Sequence, residues 1–236
     1  MEPIKISIIT PVFNNEKDIG YHIDAVSKQT YQNIEHIIVD GNSTDNTLHI
    51  IKKKANEIAT IKFMSAPDNG VYDAMNKGIN MATGEYLYFM GSDDVFYNEK
   101  TLSEVVPKFE NTDLIYANVL FKHKQIIYAG EFDKNRIIDQ SICHQAAFFK
   151  HNIFEKVGRY NSNLKFAGDW DLFLRCFYHP QITIKYLDTV VCIYNEQGIS
   201  GYQTENRYTK YKILLQRLGI SGVLKYLSIQ LRKLFR

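Results

Sequence analysis

The stretch from Tyr86 to Asp94, YLYFMGSDD, decides the fold class, because an apolar run breaks off at a glycine and is followed by two adjacent carboxylates. Such a run predicts a buried strand. Open α/β sheets bind ligands beyond the carboxyl ends of their strands, so we expect Asp93 and Asp94 at a ligand site. A divalent cation shared with substrate phosphate oxygens would suit this pair. The alternative is a solvated turn or a helix cap, where Ser and Asp are common.

The composition fits a globular protein with room for one sizeable α/β domain. The chain has 236 residues, a formal net charge of +2 and 45% apolar residues. This balance argues against a nucleic-acid partner. No run approaches the roughly 20 apolar residues that span a bilayer, and the N-terminus lacks a leader pattern, so we expect a cytoplasmic protein. Cys143, Cys176 and Cys192 are few and widely spaced, which favours reduced thiols.

The first half of the chain alternates strand and helix patterns, which predicts a parallel sheet with helices on its faces. The predicted strands are 4–10, 34–39, 61–64 and 86–90. The predicted helices cover 16–27, the segment around 48–55, and 71–82. Each strand ends in polar residues, and these loops should gather along one edge of the sheet.

The second half is less regular. A hairpin is predicted from 114–122 and 125–129, a further strand at 146–149, a helix at 169–178, and two short strands at 182–186 and 190–194. No internal repeat or low-complexity linker divides the chain.

Two of the strand-end loops carry residues suited to a nucleotide. Pro11 fixes φ after the first strand, which can hold the neighbouring backbone groups toward a flat ligand. Asp40, after the second strand, can accept hydrogen bonds from a pyrimidine N–H or a ribose hydroxyl; capping the next helix is an equally good role for it. Gly70 opens a helix whose N-terminus favours an anion. Lys77 would add a charge there, or else lie on a solvated face.

Five ordered runs resemble glycosyltransferase family 2, the inverting enzymes of the GT-A fold, and especially the bacterial members that build exopolysaccharide, capsule or O-antigen repeats. The runs are SIITPVFNNE from 7, IIVDGNSTDNT from 37, DNGVYDAMNKGINMATGEYLYFMGSDD from 68, HQAAFF from 144 and GDWDLFLR from 168. The resemblance covers about residues 5–200. It implies an α/β GT-A domain over 1–200, with a mostly parallel central sheet flanked by helices, a nucleotide-sugar half at 1–97 and an acceptor half at 98–200.

The resemblance also implies roles for individual residues. The nucleotide and donor would be held by Thr10, Pro11, Asn14, Glu16, Asp40, Asn76, Lys77 and Asp94, and Asp93 would bind Mn²⁺ or Mg²⁺. Two positions depart from the family pattern. Gly91 replaces the first acid of the usual Asp-x-Asp-Asp motif, and Met75 stands where many relatives carry an arginine. Lys77 and His144 are the candidates to supply the missing positive charge.

The second acidic run matches the family motif that supplies the catalytic base. Inverting transfer needs a carboxylate that takes the proton of the acceptor hydroxyl as its oxygen attacks the anomeric carbon. Asp169 is our candidate for this base, whereas Asp171 is assigned a structural role. Trp170 is a platform for a sugar ring or a core residue. His144 lies near the donor phosphates or the acceptor, or is structural.

The tail over 201–236 has no acidic residue after Glu205, whereas its leucines and isoleucines recur at helical spacing. Ile220, Leu224, Leu227, Leu231 and Leu234 form the predicted apolar face. A basic amphipathic helix is typical of contact with an anionic membrane. The alternative is a helix that packs on the domain and leaves its lysines in water.

These observations favour an inverting transferase that moves a sugar from a nucleotide diphosphate, uridine-linked, to a hydroxyl of a growing, lipid-linked glycan in bacterial surface polysaccharide synthesis. The enzyme would lie in the cytoplasm or at the inner face of the membrane. One alternative is a sugar-phosphate nucleotidyltransferase, although the loop after the first strand lacks the glycines that cradle a triphosphate. The other is a non-catalytic nucleotide-sugar-binding subunit, which Gly91 would permit.

Overall fold

Nine strands form one mixed sheet in the described residues, which are 3–128, 130–198 and 207–234 of a computed structural model. In chain order they are β1 (Ile6–Val12), β2 (Ile34–Asp40), β3 (Ile61–Ser65), β4 (Tyr86–Phe89), β5 (Val95–Phe96), β6 (Leu114–Phe121), β7 (Ile127–Tyr128), β8 (Ala147–Lys150) and β9 (Ile184–Tyr194). Their order across the sheet is β3-β2-β1-β4-β8-β6-β9-β5, and β7 pairs with β6.

The first four strands are parallel, as predicted, so their carboxyl ends lie along one edge. Strand β1 runs two residues further than expected and includes Pro11. The missing N–H of Pro11 leaves no gap in the ladder, because Pro11 pairs with Val39 of β2 while β4 has already ended at Phe89. A proline is therefore tolerated in this buried strand.

The remaining strands differ from the prediction in their connections. Strand β8 is antiparallel to both β4 and β6, which joins the two halves of the chain into one sheet. Strand β9 is a single element of 11 residues, not two short strands. Its pairing with β6 shifts register near Asn118. Of the segment predicted at 125–129, only Ile127–Tyr128 is a strand, and Ala129 lies outside the described residues.

The helices cover both faces of the sheet. They are α1 (Ile19–Ser27), α2 (Thr47–Glu57), α3 (Val71–Met81), α4 (Thr101–Val105), α5 (Arg136–Asp139), α6 (Ile153–Val157), α7 (Gly168–Tyr178) and α8 (Arg207–Leu234), with 3₁₀ turns at Val106–Lys108 and His144–Ala146. Helix α3 packs closely on β1 at Gly78, where a Cβ would lie only 2.4 Å from the Ile9 side chain. Glycine at this position therefore sets how near α3 lies to the sheet edge.

The C-terminal helix packs on the domain, so the tail is not a free helix. Gly219 breaks α8 with φ 66° and ψ −164°. Ile213, Leu214 and Tyr226 are buried against the domain, and Arg217 pairs with Asp171. In contrast, the predicted apolar face at Ile220, Leu224, Leu227 and Leu231 is exposed. The side chain of Leu234 and the predicted boundary at 200/201 lie outside the described residues.

Candidate active site

A cavity of about 440 Å³ opens at the carboxyl ends of β1 and β4, where the sequence predicts a ligand site. Its walls come from the loops after β1, β3, β4 and β9 and from the 3₁₀ turn before β8. The lining residues are Pro11–Asn15, Asp18, Asp68, Gly70, Val71, Ala74, Met75, Gly91–Asp94, His144, Gln145, Tyr194, Asn195 and Gly198. This volume is in the range of sites for ligands the size of a drug or cofactor.

Asp93 and Asp94 form the acidic wall of the cavity. The buried carboxyl of Asp94 accepts hydrogen bonds from Gln145 Nε2 and from the Asn195 backbone N–H, both at 2.8 Å. Burial and then the neighbouring Asp93 charge raise the pKa of Asp94 to about 8. Burial also raises the pKa of Asp93, and the charge of Asp18 adds to this effect. Asp93 accepts a 2.9 Å hydrogen bond from Asn195 Nδ2.

The acid pair fits a divalent cation. Neither Asp93 nor Asp94 forms a salt bridge with a lysine, arginine or histidine among the described residues. The partly buried Asp93 and the buried Asp94 therefore line the cavity without a salt-bridge partner. Among the described residues, no group of three or more His, Cys, Asp or Glu side chains could hold a metal ion without other ligands. A site with one or two carboxylates suits Mg²⁺ or Mn²⁺, whose other ligands are water and substrate phosphate.

A glycine precedes the pair for a steric reason. A Cβ at Gly91 would lie 2.7 Å from Asp94 Oδ2 and 3.1 Å from Asp93 Oδ1. Because Gln145 and Asn195 hold Asp94 in place, this carboxyl has little room to move. The close packing around Asp93 and Asp94 therefore accounts for a glycine at position 91, where the family motif usually has its first acid.

Thr10, a predicted nucleotide-binding residue, is not among the residues that line the cavity. Its hydroxyl is buried and lies 2.8 Å from His22 Nε2 and 3.0 Å from His36 Nε2. His22 Nδ1 in turn lies 2.7 Å from the backbone oxygen of Asp94. Burial keeps both imidazoles neutral, because it lowers the pKa of His22 to about 4 and that of His36 well below its usual value.

The hydrogen positions in this chain of contacts follow from its two ends. A carbonyl oxygen only accepts, so His22 Nδ1 carries the proton and Nε2 accepts from the Thr10 hydroxyl. The Thr10 oxygen must then accept from His36 Nε2–H, which leaves His36 Nδ1 bare. That nitrogen is buried and has no hydrogen-bond partner among the residues that the structure describes. Thr10 therefore links β2, β1 and α1 to the loop that carries Asp93 and Asp94.

The two predicted nucleotide ligands Asp40 and Glu16 also lie outside the cavity lining. Asp40 is fully buried and accepts hydrogen bonds from Ser43 and from Ser65 Oγ. Its carboxyl thus orders the loop before α2, which is the alternative that the sequence left open. Glu16 Oε2 accepts from the Asn46 N–H at the start of α2. Pro11 and Asn14 do line the cavity, and Asn14 has a positive φ of 48°.

Asn76 and Lys77 are occupied by structural contacts rather than facing the cavity. Asn76 donates to the Tyr160 carbonyl oxygen and accepts from the Tyr160 N–H, so it fixes that loop on α3. Lys77 Nζ donates to the Pro67 carbonyl oxygen at 2.7 Å and lies 3.2 Å from Asp73. In this conformation Lys77 does not replace the positive charge of the arginine that many relatives carry at the position of Met75.

Asp169 lies in the first turn of α7, next to His144 at the cavity wall. His144 Nδ1 is 3.7 Å from Asp169 Oδ2, and both side chains are partly exposed. The other carboxylate oxygen, Oδ1, accepts from the Trp170 N–H at 2.8 Å and from the Tyr72 hydroxyl at 3.4 Å. Burial, together with the Asp169 charge, raises the pKa of Tyr72, so the phenol stays protonated and donates.

Trp170 and Asp171 both serve the core. Trp170 is buried and donates from Nε1 to the Ile137 carbonyl oxygen, so its indole occupies the core position that the sequence left open as one of two roles. Asp171 is also buried, and it pairs with Arg175 of the same helix and with Arg217 of α8. Its structural role agrees with the sequence-based assignment.

Several cavity residues escaped the sequence analysis, above all Asp18, Gln145, Tyr194 and Asn195. Asn195 follows β9, so the rule that polar residues after a strand gather at the ligand edge could have found it. Gln145 is adjacent to His144 in the quoted motif, but its bond to Asp94 joins segments that are 51 positions apart. Sequence spacing gives no signal for such a contact.

Known proteins resemble this chain in sequence and fold. The family model for glycosyl transferase family 2 matches residues 7–161. The PGL/p-HBAD biosynthesis glycosyltransferase of Mycobacterium bovis (strain BCG / Pasteur 1173P2) is 36% identical over 224 residues, which cover 92% of this chain and 88% of the relative. An uncharacterized glycosyltransferase of Rickettsia prowazekii is 27% identical, over 85% of this chain and 66% of its own length.

Solved structures agree on the fold, which is the GT-A glycosyltransferase fold. S. aureus TarS 1–349 in complex with UDP-GlcNAc superposes with a TM-score of 0.77 at 19% identity, over 94% of this chain and 70% of that chain. This chain spans only 43% of a longer TarS structure. The mannosyltransferase PcManGT from Pyrobaculum calidifontis, in complex with GDP-Man and Mn²⁺, has a TM-score of 0.67 at 16% identity, over 98% and 65% of the two chains.

Proposed function

The chain belongs to glycosyl transferase family 2, and from that premise we propose that it is an inverting, metal-dependent transferase. The sugar would move from a nucleotide diphosphate, in our proposal a UDP-sugar, to a hydroxyl of a lipid-linked glycan. The nucleotide would bind mainly to residues of 1–97 and the acceptor to residues of 98–200. Both segments contribute residues to the lining of the same cavity.

One arrangement carries this proposal: a single cavity lined by an acid pair without a salt bridge and by a histidine that has a proton acceptor beside it. Asp93, Asp94 and His144 all line this cavity. Asp169 Oδ2 lies 3.7 Å from His144 Nδ1, and Asp169 itself is not among the lining residues. An acidic wall suits a cation with a diphosphate, whereas a separate carboxylate suits proton removal from an alcohol.

Asp169 would act as the general base. It takes the proton from the acceptor hydroxyl while that oxygen forms a bond to the anomeric carbon from the face opposite the leaving group. The bond between that carbon and the diphosphate oxygen breaks, and the electron pair leaves with the diphosphate. The Tyr72 hydroxyl and the Trp170 N–H both bond Oδ1 of Asp169, so Oδ2 is the oxygen that points toward His144 and would accept the proton.

Asp93 would hold a Mn²⁺ or Mg²⁺ ion, which neutralises negative charge on the departing diphosphate. Asn195 would orient this carboxylate through its 2.9 Å hydrogen bond. Pro11 and Asn14, at the end of β1, would contact the nucleotide. TarS was solved in complex with UDP-GlcNAc, and PcManGT was solved in complex with GDP-Man and Mn²⁺. These two complexes of similar fold support a nucleotide sugar as the donor.

The acceptor proposal rests on the mycobacterial relative, whose name places it in PGL/p-HBAD biosynthesis. By analogy, we infer that this chain glycosylates a lipid-linked molecule of the cell envelope at the inner face of the membrane. No helix among residues 3–128, 130–198 and 207–234 is long and apolar enough to cross a bilayer.

The experiment is a donor screen with two readouts. The protein is incubated with Mn²⁺ and each of several nucleotide sugars, and release of the nucleoside diphosphate is measured with and without lipid extract. We expect metal-dependent release with one donor class, slow alone and faster with extract. Production of pyrophosphate from nucleoside triphosphate and sugar phosphate would instead identify a nucleotidyltransferase. Donor binding without release under any condition would indicate a non-catalytic subunit.

A further inference from the structure

The second half of α8 leaves an apolar surface uncovered. Twelve large apolar side chains of the described residues are exposed, and six of them lie within α8. Four of these six, Ile220, Leu224, Leu227 and Leu231, follow each other at spacings of four, three and four residues, which places them along one side of a helix. We refer to these four as the apolar stripe; their exposed fractions are 70%, 60%, 38% and 56%.

The apolar stripe is not the side by which the helix packs on the domain. That contact uses the buried Tyr226, the partly buried Val223 and Gln230, whose amide donates to Asp139 at 2.5 Å. At 100° per residue, the packing residues and the stripe point in different directions around the helix axis. The domain therefore holds the helix in place and presents the stripe outward.

The helix that carries the stripe has basic side chains and no acidic ones. Residues 207–234 contain seven lysines and arginines and no aspartate or glutamate. Arg217 and Lys233 are used in salt bridges to the domain, and Lys210 lies over the Trp170 ring. Lys212, Lys225 and Arg232 are exposed. None of these three forms a salt bridge with any residue that the structure describes.

We propose that the apolar stripe docks on an anionic lipid bilayer, with Lys225 and Arg232 beside it at the level of the headgroups. Leucine and isoleucine side chains gain by entering the acyl boundary, while the longer basic side chains reach back to the phosphates. A second copy of this chain is a poorer occupant. Two stripes face to face would bring the same cations together with no carboxylate on either helix to neutralise them.

The test is flotation of the full chain with vesicles of phosphatidylcholine alone and of phosphatidylcholine mixed with phosphatidylglycerol. The variant L224Q/L227Q removes the centre of the stripe, and K225Q/R232Q removes the charge. All four side chains are exposed, so the fold should persist. We expect the wild type to float only with the anionic vesicles, and each double variant to bind them about tenfold more weakly.

Two matched control variants distinguish binding through the apolar stripe from nonspecific adsorption to the vesicles. I126Q/I127Q removes two exposed isoleucines near β7, and K52Q/K53Q removes two exposed lysines of α2. Both controls should float like the wild type. Equal flotation of L224Q/L227Q and wild type would overturn the proposal. So would a wild type that ignores vesicles but forms a dimer that L224Q/L227Q loses, because the occupant would then be a second copy. Nucleotide release is measured in parallel, so failed docking and failed transfer remain distinguishable.

Discussion

His22 Nδ1, on α1, lies 2.7 Å from the backbone carbonyl oxygen of Asp94. This contact ties the acidic loop after β4 to a buried row of polar groups that runs through Thr10 to His36 on β2. The carboxyl of Asp94 is held separately by Gln145 and Asn195. The loop that presents Asp93 is thus fixed by its backbone from one side and by its side chains from the other.

Thr10→Val should destabilise the protein although valine has nearly the same shape. The change leaves His22 Nε2 without a donor and the His36 Nε2–H without an acceptor, both in a buried site. We expect a loss of about 3 kcal/mol in the free energy of unfolding, measured with urea, since each unsatisfied buried group costs roughly 1–3 kcal/mol. Thr10→Ser keeps the hydroxyl and should lose much less. Equal stability of the valine variant and the wild type would show that these hydrogen bonds do not contribute to the free energy of unfolding.

The same histidines predict a loss of stability in acid. The pKa of His22 falls from about 6.5 unfolded to about 4 folded, so below pH 6.5 the unfolded chain binds a proton that the native state does not. His22 alone should therefore lower stability by roughly 3 kcal/mol as the pH falls from about 6.5 to 4. His36, whose pKa is also lowered, acts in the same direction. Asp94 opposes this effect in the same range, because its raised pKa of about 8 lets the native carboxyl hold a proton that the unfolded chain has lost.

The measurement is urea unfolding at several pH values. His36→Gln should reduce the slope between pH 6.5 and 5 because one buried titrating group is gone. The exposed His49 offers a control, and His49→Gln should leave the slope unchanged. Glu35, whose pKa is lowered to about 2, acts only below about pH 4.5 and is therefore separable. Because Asp94 contributes an opposite slope in this range, the wild type is compared with the variant. A slope in His36→Gln equal to that of the wild type would contradict neutral buried imidazoles.

Gly91→Ala should weaken metal-dependent donor binding. The new methyl group would lie 2.7 Å from Asp94 Oδ2 and would push against the acid pair. We expect about a tenfold rise in the Kd of a nucleoside diphosphate with Mn²⁺, measured by calorimetry. Gly20→Ala on α1 meets only an ordinary contact at 3.5 Å and should bind like the wild type. Unchanged affinity in Gly91→Ala would mean that donor binding tolerates a displacement of Asp93 and Asp94.

Asp171→Asn should loosen α8 from the domain. Asp171 is buried between Arg175 and Arg217, and the amide leaves both guanidinium groups without their counter-charge. We expect a loss of about 3 kcal/mol in the free energy of unfolding, together with faster proteolysis within 207–234. The exposed pair of Glu110 and Lys185 provides the comparison, and Glu110→Gln should change stability by less than about 0.5 kcal/mol.

The sequence predicted the parallel half of the fold because its signals are local. Each of the first four strands is an apolar run closed by polar residues, and each helix between them has its own apolar spacing. The sequence predicts two short strands at 182–186 and 190–194, whereas β9 is continuous over Ile184–Tyr194. Its pairing with β6 shifts register near Asn118, and only the neighbouring strand reveals this pairing. The two-residue strand β5 is too short for any periodic pattern.

The candidate site was predicted less completely than the fold. Position along the sheet edge correctly placed Asp93, Asp94, Pro11 and Asn14 at the cavity. The direction of a side chain, however, depends on long-range partners. Thr10 points to the two histidines and Asn76 to the Tyr160 backbone, and neither contact leaves a trace in local spacing. Trp170 likewise turned inward because its indole N–H finds the Ile137 carbonyl oxygen.

The most direct test of the account compares donor binding with transfer in Asp169→Asn. The variant keeps the size of the side chain but cannot take the acceptor proton. We expect the Kd for the donor with Mn²⁺ to stay within about twofold, while single-turnover transfer falls by about 10²–10⁴-fold. Asp93→Asn, used alongside, should instead lose metal-dependent donor binding. Transfer by Asp169→Asn at a rate near that of the wild type would contradict the assignment of the base and, with it, the proposed chemistry of the cavity.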